Sequence, residues 1–372
     1  MMSDIKVKTK SLRPDTEEEL KLMELSKLDF RKEYSQIYNN SKQEAKLATC
    51  FFCGKSCSSF CKSHSIPAFC LRNIAVEGLL YNNFKLVELP GLDDSKGIAN
   101  SGTFYLICND CDSKIFSEYE NPENYNDKPT QKMLTQIVLK NYLKVLYKRL
   151  IDKELYKNIW GEVDKNDKAR YSFISSLDID LKEYLAGYNR AKSILNKKKH
   201  FTEDYQVLYF KKLDYVVPYA FQSNIIPIFD LEGNIINNLY IEKSVYNLKS
   251  IHICVFPFKD QSIVMIINES KDKRFREFRK QLNKLSDDDI LAAINFMIFA
   301  YSEDIFLFKG LDTDVLTNKN LIELSNAPSY INSNSIDPFE HRSQFIEAAR
   351  QTFSFNKMRD VPNLLLRQYK AY

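Results

Sequence analysis

The period of the apolar positions changes near residue 204. Before that point, in residues 130–150, apolar side chains recur every three or four positions, which is helical spacing: Met133, Ile137, Leu139, Tyr142, Leu143, Leu146 and Leu150. After it, short runs rich in β-branched and aromatic residues, such as YQVLYF and SIHICVFPF, are bounded by Asp, Gly, Asn or Pro, which is typical of strands. The pattern predicts mainly helices before residue 204, and a sheet followed by helices after it.

Helix-capping and turn residues define the bounds of these elements more closely. Thr16 and Glu19 make a capping box and predict a charged helix to about residue 45, and a second helical segment covers about residues 170–199. In the C-terminal half, Ser286 and Asp289 start a predicted helix over residues 287–301. The other predictions there are turns at residues 230–234 and 258–262 and helices at residues 274–285 and 341–352.

These elements predict an α+β chain of several segments. The turn-rich stretch NPENYNDKP at residues 121–129 is the best boundary. The predicted segments are an N-terminal charged helical segment (1–45), a cysteine-rich module (46–125), a helical connector (126–203), an α+β domain with an antiparallel sheet and packed helices (204–315), and a tail with a short helix (316–372).

Composition excludes several classes of function. The 53 Lys and Arg against 49 Asp and Glu give a net charge of only +4, so any basic surface must be local. Only 9 glycines are present, and neither a P-loop nor a dinucleotide-binding motif occurs, so nucleotide hydrolysis is not expected. No apolar run approaches the roughly 20 residues that span a bilayer, and the first residues lack the apolar core of a signal peptide. We expect a cytoplasmic protein without a membrane partner.

The cysteines are concentrated near the N-terminus. Five of the eight lie in the stretch CFFCGKSCSSFCKSHSIPAFC, which begins at Cys50. Two C-x-x-C pairs, Cys50 with Cys53 and Cys108 with Cys111, predict a structural Zn²⁺ site in a reducing compartment. A rival ligand set stays open, in which the residues that bind the metal are Cys53, Cys57, Cys61 and His64.

The order of these motifs resembles the HNH (His-Me finger) nucleases. The resemblance covers about residues 48–122 and rests on CFFC at 50–53, SHSIP at 63–67 and LICNDCDSK at 106–114. It implies a zinc-stabilised treble-clef module that hydrolyses nucleic-acid phosphodiesters. In that interpretation His64 is the general base, Asp112 binds a catalytic Mg²⁺ or Mn²⁺, and Lys114 lies near the phosphate.

Two positions depart from the family pattern. Thr103 falls near the usual Asn, and Asp112 stands where a His is usual, although an aspartate is a competent ligand for a hard cation. Glu118 and Glu120 could add a carboxylate ligand to a metal site. An alternative function therefore stays open, a non-catalytic zinc-binding adaptor that binds nucleic acid or a protein.

Basic residues outside the module predict further contacts with nucleic acid, although they could equally be solvated surface. They are Lys197, Lys198, Lys199, Arg274, Arg276 and Arg279. The D-x-x-G-N turn at residues 230–234, VFPFKD at 255–260 and SEDIFL at 302–307 also resemble a set of uncharacterised bacterial proteins that are often encoded among phage-defence genes. This resemblance implies a defence role and a protein partner in a defence complex. His252 lies in a predicted strand and is interpreted as a structural histidine.

Overall fold

The computed structural model describes residues 27–87, 95–196, 203–239, 247–330 and 342–372. It confirms the predicted α+β class, with an antiparallel sheet, packed helices and a four-cysteine cluster in the N-terminal region. Within these ranges, no helix is both long enough and apolar enough to cross a membrane.

The helices and strands are labelled in chain order. The helices are α1 (Lys27–Glu44), α2 (Ala68–Asn73), α3 (Phe84–Val87), α4 (Asn109–Phe116), α5 (Gln131–Trp160), α6 (Lys168–Asn196), α7 (Arg276–Leu282), α8 (Asp287–Tyr301), α9 (Thr313–Leu316), α10 (Lys319–Tyr330) and α11 (Arg342–Phe353). The strands are β1 (Ser63–His64), β2 (Leu79–Asn82), β3 (Ser95–Gly97), β4 (Thr103–Phe104), β5 (Tyr205–Leu213), β6 (Tyr219–Ile225), β7 (Ile251–Pro257), β8 (Ser262–Glu269) and β9 (Phe306–Leu307).

The main sheet has seven strands in the order β3-β2-β9-β6-β7-β8-β5. Its described pairings are antiparallel. The predicted hairpin is confirmed, because β7 and β8 pair through Cys254 and Met265 and the backbone N–H of Phe258 donates to Gln261 O at 2.7 Å. The turn at residues 230–234 is confirmed too, since the backbone N–H of Asp230 donates to Asn234 O at 2.8 Å.

Two strands of the cysteine-rich module belong to this main sheet. Tyr81 of β2 pairs with Leu307 of β9, and Leu307 also pairs with Tyr219 of β6. The two-residue strand β9 therefore joins β2 and β3 to the strands of the C-terminal half. The boundaries of the five segments stay a prediction.

The sheet separates two apolar cores. Alternate residues of a strand face opposite sides, so Ile253 and Val255 of β7 pack with α8, and Cys254 and Phe256 pack with α5 and the cysteine-rich module. Helix α8 begins as predicted, because the Ser286 hydroxyl accepts from the backbone N–H of Asp289 at 3.2 Å. Its residues 290–300 are all buried.

Helix α5 is the central element on the other face. The side chain of Thr130 caps it by accepting from the backbone N–H of Met133 at 3.2 Å, and Gly161, with a φ of 66°, ends it. It extends ten residues beyond the predicted 130–150 span and packs against α6, where Arg149 pairs with Asp180 at 3.0 Å. Because its first half is buried on nearly all sides, α5 brings charged side chains into the interior.

Some predictions are only partly tested. Helix α1 is described from Lys27, so the proposed cap at Thr16 lies outside the described residues, as do Lys197, Lys198 and Lys199. Helices α6, α7 and α11 agree with the predicted segments. The predicted tail, with one short helix at residues 341–352, lacks α10, which buries Leu321, Leu324 and Ala327 against the sheet core.

Candidate metal centre and the surroundings of His64

Four cysteine sulfurs converge in the N-terminal region. The Sγ atoms of Cys50, Cys53, Cys108 and Cys111 all lie within 4.8 Å of one another. Tetrahedral zinc with Zn–S bonds of about 2.3 Å holds its sulfurs about 3.8 Å apart, so a small contraction places all four on one ion. The donor set and the geometry fit structural zinc.

The first C-x-x-C pair lies in a tight knuckle. The backbone N–H of Gly54 donates to Cys50 O at 2.8 Å, and Gly54 has a φ of 73°, a conformation that glycine adopts without strain. A backbone hydrogen bond from Phe51 to Leu106 O, 2.9 Å long, then ties this knuckle to the segment that leads into α4.

The second pair lies at the start of α4. Cys108 is the N-cap residue and Cys111 follows in the first turn, where unpaired backbone N–H groups favour negative charge. The backbone N–H of Cys108 donates to Cys50 Sγ at 3.3 Å. Burial raises the pKa of Cys50, but the backbone N–H groups of Cys53 and Cys108 outweigh it and lower that pKa to about 7. The thiolate needed to bind a metal is thus favoured at Cys50.

Helix α6 supports the first knuckle from outside. The Tyr188 hydroxyl donates to Phe51 O at 3.0 Å, and Lys192 Nζ donates to Phe52 O at 2.5 Å. Both residues lie on the same face of α6, one helical turn apart. The metal centre is therefore anchored to the helical layer.

The rival ligand set is not assembled. Cys57 Sγ donates to Ser59 O at 2.7 Å, and Cys61 Sγ lies 3.4 Å from Asp112 Oδ2. Burial and the neighbouring Asp112 raise the pKa of Cys61 to about 11, so its thiol stays protonated. Within the described parts of the chain, the four C-x-x-C residues are the one cluster of His, Cys, Asp and Glu arranged to bind a metal.

His64 lies in β1, which forms a short antiparallel pair with β4, and residues 65–102 separate the two strands in the chain. Strand β1 pairs with β4 so that His64 stands opposite Thr103 and Ser63 opposite Phe104. Gly102 has a φ of 63°, and a Cβ there would lie 2.6 Å from Ser65 Oγ, so the turn into β4 requires glycine. Helix α4 follows β4 in the chain.

The imidazole of His64 is held by a backbone carbonyl. Its Nε2 lies 3.2 Å from Ile98 O, and because a carbonyl only accepts, Nε2 carries the hydrogen. Burial lowers the pKa of His64 below its usual value, an effect that the Ile98 carbonyl opposes in part. A neutral ring of this tautomer has an unprotonated Nδ1, and the side chain is half-buried rather than enclosed.

Asp112 lies in a buried ion network instead of facing solvent. Its Oδ1 accepts from Ser63 Oγ at 2.7 Å and from Lys140 Nζ at 2.9 Å. Burial raises the pKa of Asp112, but Lys140 and Ser63 outweigh it and lower the pKa below its usual value. Asp112 is therefore ionised at neutral pH and neutralised by an internal lysine.

Lys140 occupies the position where Asp112 could otherwise hold a cation. Its side chain has 0% exposure, and its Nζ also lies 2.8 Å from Glu120 Oε1 and 3.9 Å from the centre of the Phe116 ring. Two carboxylates and an aromatic face thus surround one ammonium group. The residues around Asp112 do not fit an additional Mg²⁺ or Mn²⁺ while Lys140 is in place.

The remaining predicted site residues lie apart from this network. Lys114 is exposed on α4 and lies 3.8 Å from Asp110. Glu118 pairs with Lys132 at 2.5 Å. Thr103 is half-buried opposite His64.

The predicted basic residues near α7 are partly engaged within the protein. Arg274 Nη1 donates to Asn247 O at 2.8 Å and to Asn237 Oδ1 at 3.1 Å, so it links two segments of the chain. Arg279 Nη1 donates to Gln206 Oε1 at 2.9 Å, and Arg276 is exposed. Their role in binding nucleic acid stays a prediction.

His252 is confirmed as a structural histidine. It is 1% exposed on β7, its Nδ1 lies 3.1 Å from Asn141 Nδ2, and burial lowers its pKa to about 3. Since a donor amide faces Nδ1, the neutral ring completes a buried polar contact between the sheet and α5.

Sequence reasoning missed Lys140 as the partner of Asp112. Lys140 lies in the segment TQIVLKNYLKVL, which is apolar on nearly every side of the helix, and this signal indicates that a lysine there is buried.

No protein-family model matches the chain, and the comparisons found no significant similarity to curated proteins or to solved structures.

Proposed function

We propose that residues 48–122 are a zinc-scaffolded, HNH-like nuclease module that hydrolyses nucleic-acid phosphodiesters. The observation that carries this proposal is the protonation and accessibility of the His64 side chain. The Ile98 carbonyl fixes the hydrogen on Nε2, burial favours the neutral ring, and the side chain stays partly accessible. These are the properties that a general base needs at neutral pH.

In the proposed reaction, Nδ1 of His64 accepts a proton from water while the water oxygen attacks phosphorus. The bond from phosphorus to the leaving oxygen then breaks, and that oxygen takes up a proton from solvent. The four-cysteine centre takes no part in the chemistry and holds α4 and the first knuckle in place. No step is assigned to an ion on Asp112, because Lys140 already neutralises that carboxylate.

The same lysine favours a second candidate, a zinc-binding adaptor that binds without cleaving. An enclosed ammonium group shared by Asp112 and Glu120 removes the hard-cation ligands that phosphodiester hydrolysis commonly uses. Under this proposal, the β1–β4 strand pair and the surrounding surface would bind nucleic acid or a protein.

The test compares the wild type with His64→Ala, purified in the same way. Cleavage of supercoiled plasmid and of a structured RNA is measured with added Mg²⁺, with Mn²⁺ and with EDTA, and zinc content is measured on each preparation. The nuclease proposal predicts cleavage by the wild type that His64→Ala loses while it retains one zinc per chain. His341→Ala provides the matched control for loss of a histidine and should cleave normally.

Two outcomes contradict the nuclease proposal. Equal cleavage by the wild type and His64→Ala indicates a contaminating nuclease, and no cleavage of any substrate by the zinc-loaded wild type favours the adaptor. Loss of zinc together with His64 would reassign that histidine to the metal centre.

A further inference from the structure

Asp112 holds the segment that leads into β1 with both of its carboxylate oxygens. Ser63 Oγ donates to Asp112 Oδ1 at 2.7 Å, and Cys61 Sγ, two residues earlier in the chain, donates to Oδ2 at 3.4 Å. An ionised carboxylate only accepts hydrogen bonds, so it can serve both donors at once. We call Cys61, Ser63 and Asp112 the carboxylate clamp.

The carboxylate clamp is joined to the helical layer by Lys140 of α5. Lys140 Nζ lies 2.9 Å from Asp112 Oδ1 and 2.8 Å from Glu120 Oε1, and its side chain is fully buried. The same Nζ lies 5.8 Å from the centre of the Phe104 ring, and Phe104 is the residue of β4 that pairs with Ser63. Both strands of the small sheet are therefore connected to α5 through one buried ammonium group.

Strand β1 depends on such contacts because its sheet is very small. It has two residues, and among the described strands its one partner is β4, which also has two. Backbone hydrogen bonds from Cys61 to Ile107 O at 2.7 Å and from Ser65 to Gly102 O at 2.8 Å tie its ends to the residues around β4. The carboxylate clamp adds the contact with α4 and, through the buried ammonium group, with α5.

His64 directly follows Ser63, so the place of its imidazole depends on where the carboxylate clamp holds β1. The distance from His64 Nε2 to Ile98 O is 3.2 Å, at the long end of the usual range for a hydrogen bond. A shift of the strand by about 0.5 Å away from Ile98 would therefore weaken this contact. The contact fixes the hydrogen on Nε2 and leaves Nδ1 free to accept a proton.

We propose that Asp112 is a positioning residue for His64: through Cys61 and Ser63 it holds β1 where the imidazole meets Ile98 O. This inference rests on the proposed function, because it assigns Asp112 a part in the same site. It replaces the role that the resemblance to nucleases implies for Asp112, which is to bind a metal ion.

The test variant combines Cys61→Ala and Ser63→Ala. It removes both donors of the carboxylate clamp and leaves the ion pairs of Lys140 with Asp112 and Glu120 in place. The buried charges therefore keep their counterion. The four cysteines of the metal centre are also unchanged.

The control variant combines Cys57→Ala and Ser113→Ala. The Cys57 thiol donates to Ser59 O at 2.7 Å, and the Ser113 hydroxyl donates to Asn109 O at 2.9 Å, so both groups bind nearby backbone carbonyls. Each double variant thus loses one thiol and one hydroxyl from the same module. Zinc content and circular dichroism show whether each variant is folded. If the test variant does not fold, Ser63→Ala alone is compared with Ser113→Ala by the same measurements.

The first measurement is the exchange of the Nε2 hydrogen of His64 with water, followed by nuclear magnetic resonance on protein with isotope-labelled histidine nitrogens. The chain has four histidines, and the signal that His64→Ala lacks identifies the one in question. We expect a protected Nε2 hydrogen in the wild type and the control. In the test variant it should exchange about tenfold faster, the factor expected from losing one hydrogen bond.

The second measurement is the rate of cleavage against substrate concentration. We expect kcat of the test variant to fall about 10- to 100-fold below that of the control at unchanged KM, because a misplaced base slows the reaction without removing substrate contacts. Equal exchange rates and equal kcat values in the two double variants would overturn the proposal. So would an unprotected Nε2 hydrogen in the wild type.

The two measurements separate this proposal from the nuclease proposal. If the wild type cleaves no substrate but only the test variant loses protection at His64, the positioning role stands and the nuclease proposal fails. If cleavage depends on His64 while the two double variants agree in exchange and in kcat, the nuclease proposal stands and the positioning role is wrong.

Discussion

At the scale of single residues, Lys140 carries the largest electrostatic consequence. It is enclosed between Asp112 and Glu120, and both carboxylates stay in the interior if the ammonium group is removed. A buried ion pair adds little net stability when complete, but breaking it leaves an uncompensated charge. The apolar pattern of α5 around Lys140 indicates a buried lysine, but its carboxylate partners depend on the tertiary fold, since Asp112 and Glu120 lie 20 or more residues away in the chain.

Lys140→Met should lower the free energy of unfolding by at most about 3–5 kcal/mol, because Asp112 and Glu120, whose side chains are 18% and 31% exposed, lose their shared counterion. Lys153→Met, on the same helix, removes a pair in which Lys153 is 38% and Asp178 49% exposed, and should cost at most about 1 kcal/mol. Denaturant unfolding of both variants checks this. Equal losses would mean that the Lys140 network has no special role.

The protonation of His64 predicts how the rate of cleavage depends on pH. Burial lowers its pKa below 6.5, so the ring loses its proton at lower pH than a free histidine does. A general base acts when unprotonated, so cleavage should rise with pH to an inflection below 6.5 and then stay level through pH 7. Initial rates measured from acid to mildly alkaline pH test this. An inflection above pH 7 would assign the base to another group.

At the scale of elements, the metal centre joins a knuckle to the start of a helix. Cys53→Ser should lose the zinc and lower the melting temperature, because the backbone tie between Phe51 and Leu106 cannot replace four metal bonds. Cys57→Ser, whose thiol lies outside the cluster, should retain one zinc per chain. Metal analysis and thermal unfolding check both. Loss of zinc from Cys57→Ser would favour the rival ligand set of Cys53, Cys57, Cys61 and His64.

Local signals predicted elements well where the determinants are local. The Ser286 cap, the β7–β8 hairpin and the start of α5 each depend on residues within a few positions of one another. The two C-x-x-C pairs lie together as predicted, because cysteines with this spacing are typical ligands of a single metal ion. Strand β9 gave no such signal, since two residues have no period and its pairing is decided by distant partners.

At the scale of the whole molecule, one sheet runs from the cysteine-rich module to the C-terminal half. Strand β9 hydrogen-bonds to β2 on one side and to β6 on the other. The second core, on the side of α5, includes residues such as Leu106, Leu139 and Met265, which come from three of the predicted segments. This core is therefore shared by residues from distant parts of the chain.

Unfolding should be a single transition seen equally by different probes. The fluorescence of Trp160, the chain's one tryptophan, reports the end of α5, and far-ultraviolet circular dichroism reports all helices and strands. We expect the two melting curves to coincide and to shift together in Cys53→Ser. Two separated transitions would show that the module and the sheet are stable independently.

The pairing of Tyr81 with Leu307 also bears on how the protein is made. During synthesis, β2 leaves the ribosome long before β9 exists, so the early chain carries a strand edge and apolar surface without their partners. Contacts between residues so distant in sequence form slowly, because closing a long loop precedes any gain from the contact. Early capture of zinc by the four cysteines would keep the nascent N-terminal region ordered through this interval.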